Sequence, residues 1–245
     1  MGSRNMTLKD FLTSEGRLKL RVQRNTKKLS QRYAQHEARM EAADKLQGIA
    51  TPEAIYGLAR RFSATSENLG IDQEEKKHVQ NVLVGFGEKA VEPLKRHIKH
   101  HDQVTWSIDA LKELLPKERL IPFLLDVLRG GDPIYIRGEK ANQILIALEH
   151  LNDPDVVPGV IPCLQSPDDT VRFVAVECLA AYGDERAREP LLEALVSPDE
   201  DSARVKTRIG EALEKADWDV KGYRKKVEAV LPPPFRVSSK GRVVR

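Results

Sequence analysis

Four prolines recur at nearly regular distances from residue 93 onwards, and they constrain the fold more than any other feature of the chain. Each lies in a short apolar run, at spacings of 29, 40 and 28 residues: AVEPLK at Pro93, LIPFLL at Pro122, VIPCLQ at Pro162 and AREPLL at Pro190. These spacings are typical of arrays that repeat one pair of helices. An ordinary helical bundle has no reason to repeat a proline in register, so we favour a repeat array over that alternative.

Turn residues divide the chain into helix pairs. The runs GGDP at 130–133 and NDP at 152–154 are strong turn signals. The stretches between turns predict four clear repeats, at 88–115, 117–150, 155–182 and 184–216. Residues 52–86 predict one more, diverged pair, in which Thr51 caps the first helix and Asp72 the second. A proline inside each first helix removes one backbone donor and should bend that helix.

The stretch 87–216 resembles a HEAT repeat, in particular the short HEAT-like repeat of the phycobilisome lyase type. The resemblance rests on the proline of each first helix, the aspartate of the following turn and a Val–Arg pair that opens the second helix. That pair is clear at Val171–Arg172, close at Ile136–Arg137 and Val205–Lys206, and poor near Trp106. The resemblance implies an all-α, HEAT-like α-solenoid, a right-handed superhelix of antiparallel helix pairs whose second helices line a concave side.

The same resemblance implies a structural role for two arginines. In HEAT repeats the arginine of the Val–Arg pair usually bonds a turn aspartate of a neighbouring repeat. Arg137 and Arg172 occupy that position here, and the aspartates that match the role are Asp132, Asp168 and Asp169. We therefore expect a structural ladder at these positions rather than an anion-binding site.

The two ends of the chain differ from the repeats. Residues 1–47 predict a basic N-terminal cap, in which 17–46 form one helix with an apolar stripe made of Leu18, Val22, Leu29, Tyr33, Met40 and Ala43. The alternative is a basic face for an anionic partner. Residues 48–218 form the predicted solenoid. In the C-terminal part, 219–245, a helix over 220–230 precedes 235–245, which predicts either a small β-hairpin or a disordered basic tail.

Charge is distributed unevenly, although the whole chain carries only +3. Residues 1–45 contain 11 Lys and Arg against 5 Asp and Glu, and residues 221–245 contain 8 against 1. The part between them therefore carries −10. Basic ends on an acidic body suggest either anion binding at the ends or binding of a basic segment by the body.

Positions about half a turn from the buried side of each second helix should face the concave groove. They predict an acidic groove with two aromatic anchors, and its partner-binding residues are Trp106, Asp109, Glu113, Glu139, Gln143, Phe173 and Glu177. Thr207 and Glu211 are the counterparts in the fourth repeat. Aromatic side chains surrounded by charge suit the binding of a peptide. The alternative is that Trp106 and Phe173 belong to the core and the acidic residues only confer solubility.

No pattern in the chain predicts a reaction, a cofactor or a metal. His97, His100 and His101 form H-x-x-H-H, but no further ligands accompany them, so a solvated helix end is the better interpretation. Cys163 and Cys178 lie among apolar neighbours and predict packed core thiols. The N-terminus lacks the apolar core of a signal peptide, and TLKDFL also allows a start at Met6. We expect a cytoplasmic protein without a membrane span.

Three functions fit these observations. The first is a non-catalytic scaffold for protein–protein interaction, whose groove holds a protein partner or a basic peptide, including its own tail. The second is binding of nucleic acid or a ribosome surface through the basic ends. HEAT-like DNA glycosylases hold DNA on a basic face, whereas the predicted groove is acidic. The third is a bilin lyase-like enzyme, which only the repeat type supports.

Overall fold

The computed structural model describes residues 13–130 and 138–245, and in these residues the chain is almost entirely α-helical. The predicted all-α, HEAT-like architecture is confirmed. The chain divides into two compact units between Leu115 and Pro116. Three predictions lie outside the described residues: the start of the N-terminal cap, the turn at Asp132 and the Ile136–Arg137 pair.

Unit 1 contains six helices. They are α1 (Ser14–Leu29), α2 (His36–Ile49), α3 (Pro52–Ala59), α4 (Leu69–Gly85), α5 (Glu88–His100) and α6 (Thr105–Leu114), with a 3₁₀ turn at Arg60–Ser63 after α3. Helix α3 packs on α5, and α4 packs on α6. First helices of successive pairs therefore stack on first helices, and second helices stack on second helices. Helices α1 and α2 pack together and against α3.

The N-terminal segment is two helices rather than the single helix predicted over 17–46. The break falls at 30–35, and Tyr33, which was placed in the apolar stripe, is 72% exposed there. The reason is the side chain of Arg39, which is buried and donates to the backbone carbonyls of Gln31, Arg32 and Ala34. These donors satisfy carbonyls that a continuing helix would have bonded, so α2 can turn back along α1.

Helix capping in unit 1 follows the sequence at one helix and departs from it at another. Thr51 caps α3 as predicted, because its hydroxyl accepts from the Ala54 N–H. The cap of α4 is Asn68, whose side chain accepts from two backbone N–H groups, and not Asp72. Asp72 lies one turn further on, buried in an ion-pair network.

Unit 2 contains the remaining helices and a β-hairpin. Its helices are α7 (Lys117–Arg129), α8 (Gly138–Glu149), α9 (Val157–Val160), α10 (Asp169–Tyr182), α11 (Arg188–Val196), α12 (Ala203–Lys215) and α13 (Arg224–Val230). Short 3₁₀ turns lie at Pro154–Val156, Ile161–Gln165 and Glu185–Ala187. The second helices pack in the order α8, α10, α12, which is the stacking expected of a repeat array.

The repeated prolines affect their helices differently. Pro93 and Pro122 lie inside α5 and α7, which remain continuous. The first helix of the third repeat is instead broken into a 3₁₀ turn, the four-residue α9 and a second 3₁₀ turn. Prolines at 154, 158 and 162 explain the break, since each removes a backbone donor about one turn after the last.

The C-terminal residues form the β-hairpin and not the disordered tail. Strands β1 (Arg236–Val237) and β2 (Val243–Val244) are antiparallel, and they pack against α13 and α12 respectively. The ring of Phe235, 7% exposed, covers Gly210 of α12, where a Cβ atom would lie only 3.1 Å from the ring. Packing on α12 gives the hairpin the apolar support that an isolated hairpin lacks in water.

Candidate partner-binding surface

The structure brings two of the predicted groove residues together on unit 2. Phe173 and Glu177 of α10 face α12 across an open depression of about 510 Å³. We call this surface the α10–α12 patch; its side chains are Phe173, Glu177, Arg204, Thr207, Arg208 and Glu211. Phe173 and Glu177 are half-buried, so both remain accessible to a partner.

Charge on the α10–α12 patch is balanced, and the predicted acidic character is wrong here. The Arg204 guanidinium lies 4.8 Å from the centre of the Phe173 ring, in a cation–π contact. Arg208 Nε lies 3.5 Å from Glu177 Oε1, and Arg208 Nη1 donates to Glu211 at 3.0 Å. The prediction counted only the charges of carboxylates at groove positions, whereas the long side chains of Arg204 and Arg208 on α12 reach the same surface.

Equivalent positions recur along the second helices of unit 2. Gln143, Phe173 and Thr207 each lie two residues after a buried apolar residue, namely Ala141, Val171 and Val205. Because α8, α10 and α12 pack in that order, this position repeats along one face. Glu139, also a predicted groove residue, is exposed at the start of α8.

The predicted groove residues of unit 1 are partly engaged within that unit. The Trp106 ring stacks on Phe62 with 6.1 Å between centroids, so the alternative of a core residue holds in part. Asp109 pairs with Lys112 at 3.1 Å, and Glu113 accepts a long hydrogen bond of 3.5 Å from Gln80. A single groove that contains all seven residues stays a prediction.

Arg172 has the structural role that the sequence predicted, but its partner is different. Its Nε and Nη2 atoms form a bidentate pair with Glu200 at 2.8 and 2.9 Å, and Nη1 donates to the Ser166 carbonyl. Glu200 belongs to the turn of the next repeat, which fits the expected ladder. Asp168 instead caps α10, and Asp169 accepts from the Ser202 hydroxyl and lies 3.4 Å from Arg204.

His97 is buried, so the prediction of a solvated helix end is wrong for this residue. Its Nε2 lies 2.8 Å from Ser63 Oγ and its Nδ1 lies 2.9 Å from Ser107 Oγ. The His101 ring stacks on it at 4.4 Å. The spacing to Ser63 is that of a nucleophile and a base, but the partner of Nδ1 is a neutral hydroxyl rather than an orienting carboxylate. The arrangement satisfies a core histidine.

Unit 1 contains a buried ion network that was not predicted from the sequence. The Glu75 carboxylate, wholly buried, accepts from Arg39 Nε and Nη2 at 2.8 Å each and from Arg61 Nε and Nη2 at 3.0 and 2.9 Å. His36 Nδ1 lies 2.8 Å away. Burial alone would raise the pKa of Glu75, but the hydrogen bonds from Arg39, His36 and Arg61 outweigh burial and lower it.

The rest of the network surrounds Asp72. Its carboxylate lies 2.6 Å from Arg61 Nη2 and 2.7 Å from Lys76 Nζ, and it accepts from the Ser66 N–H. Burial opposes ionisation here too, but the contacts with Lys76, Arg61 and Ser66 hold the pKa of Asp72 at about 2. Residues up to 39 positions apart in sequence are thereby joined.

Other candidate chemistry in the described parts of the chain is sparse. Cys163 and Cys178 are free thiols. Burial raises the pKa of Cys163 to about 11 and, together with the charge of Glu149, that of Cys178 to about 12, as in unreactive core thiols. Across 13–130 and 138–245, no group of three or more potential ligands is placed to hold a metal ion. Nor does any helix in those residues have both the length and the apolar character to cross a membrane.

Comparison with known proteins supports the repeat assignment. Residues 121–214 match the family model for HEAT repeats. Among solved structures, eight chains match, one of them human deoxyhypusine hydroxylase in complex with glycerol, at 14% identity and a TM-score of 0.31. That alignment covers 82% of this chain and 97% of the other, but similarity this low carries no argument about function. No curated protein matches the sequence.

Proposed function

We propose that the protein, whose residues 121–214 match the family model for HEAT repeats, is a non-catalytic scaffold that binds a protein partner on the α10–α12 patch. The partner is a peptide segment with an apolar side chain for Phe173, flanked by charges of both signs. The observation that carries the proposal is the placement of a half-buried phenylalanine, under Arg204, inside an open depression lined by two glutamates and two arginines.

Aromatic and arginine side chains support this assignment because they dominate the binding energy of protein interfaces. The four charges lie around Phe173, so they can form a polar rim on an apolar anchor. Both charge signs are present, which favours a partner whose own charges alternate over a uniformly basic peptide.

A site-specific cross-linking experiment tests the proposal. A photoreactive phenylalanine analogue replaces Phe173, the protein is irradiated in a nuclease-treated extract, and adducts are identified by mass spectrometry. We expect one protein to dominate the adducts. Binding of that protein to the unmodified chain should weaken about 30-fold or more on Phe173→Ala, as at other aromatic hot spots. Glu177→Arg should also weaken it, because the new positive charge repels the positive charges of the partner.

Matched controls use Glu118, an exposed residue of α7 that lies outside the patch. The same analogue at position 118 should give none of the dominant adduct, and Glu118→Arg should leave the affinity unchanged. Equal adducts from positions 118 and 173 would refute the proposal, as would full affinity in both Phe173→Ala and Glu177→Arg variants that melt like the unmodified protein.

The absence of catalysis is part of this proposal. The one nucleophile–base spacing described above, at Ser63 and His97, belongs to a buried histidine held between two hydroxyls. Both thiols have raised pKa values, which oppose nucleophilic chemistry. Treatment with a serine-reactive fluorophosphonate probe is therefore expected to leave Ser63 unlabelled. Stoichiometric labelling of Ser63 would contradict a purely non-catalytic role.

A further inference from the structure

A second cavity, in unit 1, carries a concentration of positive charge. It has a volume of about 680 Å³, within the range of small-molecule sites. Helix α1 and its end contribute Gln23, Lys27, Ser30 and Gln31, while α3 and the following residue contribute Glu53, Tyr56 and Arg60, and α5 contributes Arg96. We call it the α1–α3–α5 cavity. Its three cations against one carboxylate leave a net charge of +2.

The three cations of the cavity, Lys27, Arg60 and Arg96, are exposed, and within the residues that the structure describes none of them forms an ion pair. The two buried arginines of unit 1, Arg39 and Arg61, are by contrast paired with carboxylates. Like charges that line one concavity repel each other and focus a positive potential there. A bound anion would remove that repulsion.

Arg96 is held over an aromatic ring that is itself fixed. Its guanidinium lies 4.1 Å from the centre of the Tyr56 ring, and Tyr56 Oη lies 3.1 Å from His101 Nε2. The stacking leaves the edge of the guanidinium, with its N–H groups, available for hydrogen bonds. A planar set of donors that is already oriented loses little entropy on binding a tetrahedral anion.

Ser30 provides an independent sign of a ligand. Its Oγ atom is buried in the cavity wall and has no hydrogen-bond partner in the described residues. Buried polar atoms in proteins nearly always have a partner, and those without one call for an explanation. The atom is covered in this structure, so a small shift of the Ser30 side chain would let the hydroxyl donate a hydrogen bond to an oxygen of a bound ligand.

We propose that the α1–α3–α5 cavity binds the phosphate group of a nucleotide. The forked donors of Arg60 and Arg96 suit phosphate oxygens, and Lys27 adds a point charge. The side-chain amides of Gln23 and Gln31 can pair with base or ribose edges, and guanidinium planes stack on bases. The phosphate can come from a free nucleotide or from an RNA strand. This inference is independent of the α10–α12 patch.

Fluorescence anisotropy with the full chain tests the proposal. The probe is a short, 5′-phosphorylated single-stranded RNA labelled at its 3′ end, and the competitors are adenosine 5′-monophosphate and inorganic phosphate. Arg60→Gln and Arg96→Gln should each weaken binding of the probe about tenfold, since each removes charged hydrogen bonds. Each should also reduce the slope of log K against log salt by about 0.7.

Two further variants make the test specific. Arg24→Gln is the matched control, because Arg24 is exposed on α1 outside the cavity and loses the same charge. It should change the affinity less than about twofold. Ser30→Ala keeps every charge, so it should weaken binding without lowering the melting temperature. This second variant keeps the test decisive if an arginine variant misfolds.

The competitors distinguish the two sources of phosphate. If adenosine 5′-monophosphate displaces the probe, the ligand of the cavity is a free nucleotide. If the probe stays bound, the ligand is an RNA strand. Two results would overturn the proposal. One is the absence of binding by RNA and by the mononucleotide up to about 1 mM. The other is an equal loss of affinity in the Arg24→Gln and Arg60→Gln variants.

Discussion

Neutralising Glu75 should destabilise the protein more than almost any other single polar substitution. Its carboxylate is wholly buried and is the shared acceptor of two buried arginines, Arg39 and Arg61. In Glu75→Gln the shape of the side chain is kept, but Asp72 alone then balances Arg39, Arg61 and Lys76. The amide group of glutamine also presents donors towards guanidinium donors, so hydrogen bonds are lost as well as charge.

The size of the effect follows from the number of groups left unpaired. Removing one partner of a buried ion pair costs about 3–5 kcal/mol, because the other charge stays out of water without compensation. The carboxylate bridges two arginines here, so we expect the upper part of that range. For a chain of 245 residues, each 1 kcal/mol shifts the melting temperature by about 2–4 °C, which predicts a fall of about 10–20 °C.

Thermal and urea unfolding at pH 7, followed by circular dichroism, measure this effect. Glu74→Gln is the matched control, since Glu74 is the adjacent residue, is exposed, and undergoes the same chemical change. It should alter the free energy of unfolding by less than about 0.5 kcal/mol. If Glu75→Gln were as stable as the Glu74→Gln control, the network would contribute no net stability, and the reasoning from buried charge would be refuted.

Four other substitutions test three further parts of the structure. The pKa of Asp72 is held at about 2, against an ordinary value of 3.8. The stability that the Asp72 carboxylate contributes is therefore complete above about pH 4 and is lost as the pH falls from about 4 to about 2. In a plot of the free energy of unfolding against pH, Asp72→Asn should reduce the slope over this range. Arg172→Lys loses the bidentate contact with Glu200 and should cost about 2 kcal/mol in urea unfolding, against less than about 0.5 for the exposed Arg204→Lys. Phe235→Ala should cost about 3 kcal/mol and abolish the amide protection of the hairpin, and equal hydrogen exchange in both proteins would contradict its packing role. Gly210→Ala should destabilise the unmodified protein but not the Phe235→Ala variant, because the three atoms nearest to the added methyl all belong to that ring.

Local sequence signals predicted the repeats well. The four predicted repeats, at 88–115, 117–150, 155–182 and 184–216, agree closely with the observed helix pairs from α5 to α12. Turn residues, N-cap residues and prolines act over a few neighbouring residues, so their effects can be read from a short window. The prediction of the cap of α4 was wrong, because Asn68 and Asp72 are both residue types that cap helices well. Asp72 is buried in the structure, and Asn68 is the cap.

Long-range contacts account for what the sequence did not predict. Glu75, Arg39 and Arg61 look like solvated charges in any helical pattern, and only the approach of α2 and α4 buries them. The predicted acidity of the groove failed for a related reason. The side chains of Arg204 and Arg208 are long enough to reach Phe173 and Glu177 from α12. A prediction based on the positions of residues along each helix does not include this reach.

The basic ends of the chain turn out to have different roles. In the C-terminal segment, Arg242 pairs with Asp217, Arg245 with Glu211 and Glu214, and Arg224 with Glu228. Much of the positive charge there is thus neutralised within unit 2, where the hairpin covers the last repeat as a terminal cap. In the N-terminal segment Lys27 lines a cavity with two arginines and has no acidic partner in the described residues. The positive charge of the C-terminal end thus serves a structural cap, whereas the anion site that we propose in unit 1 uses positive charge that is not paired with a carboxylate among the described residues.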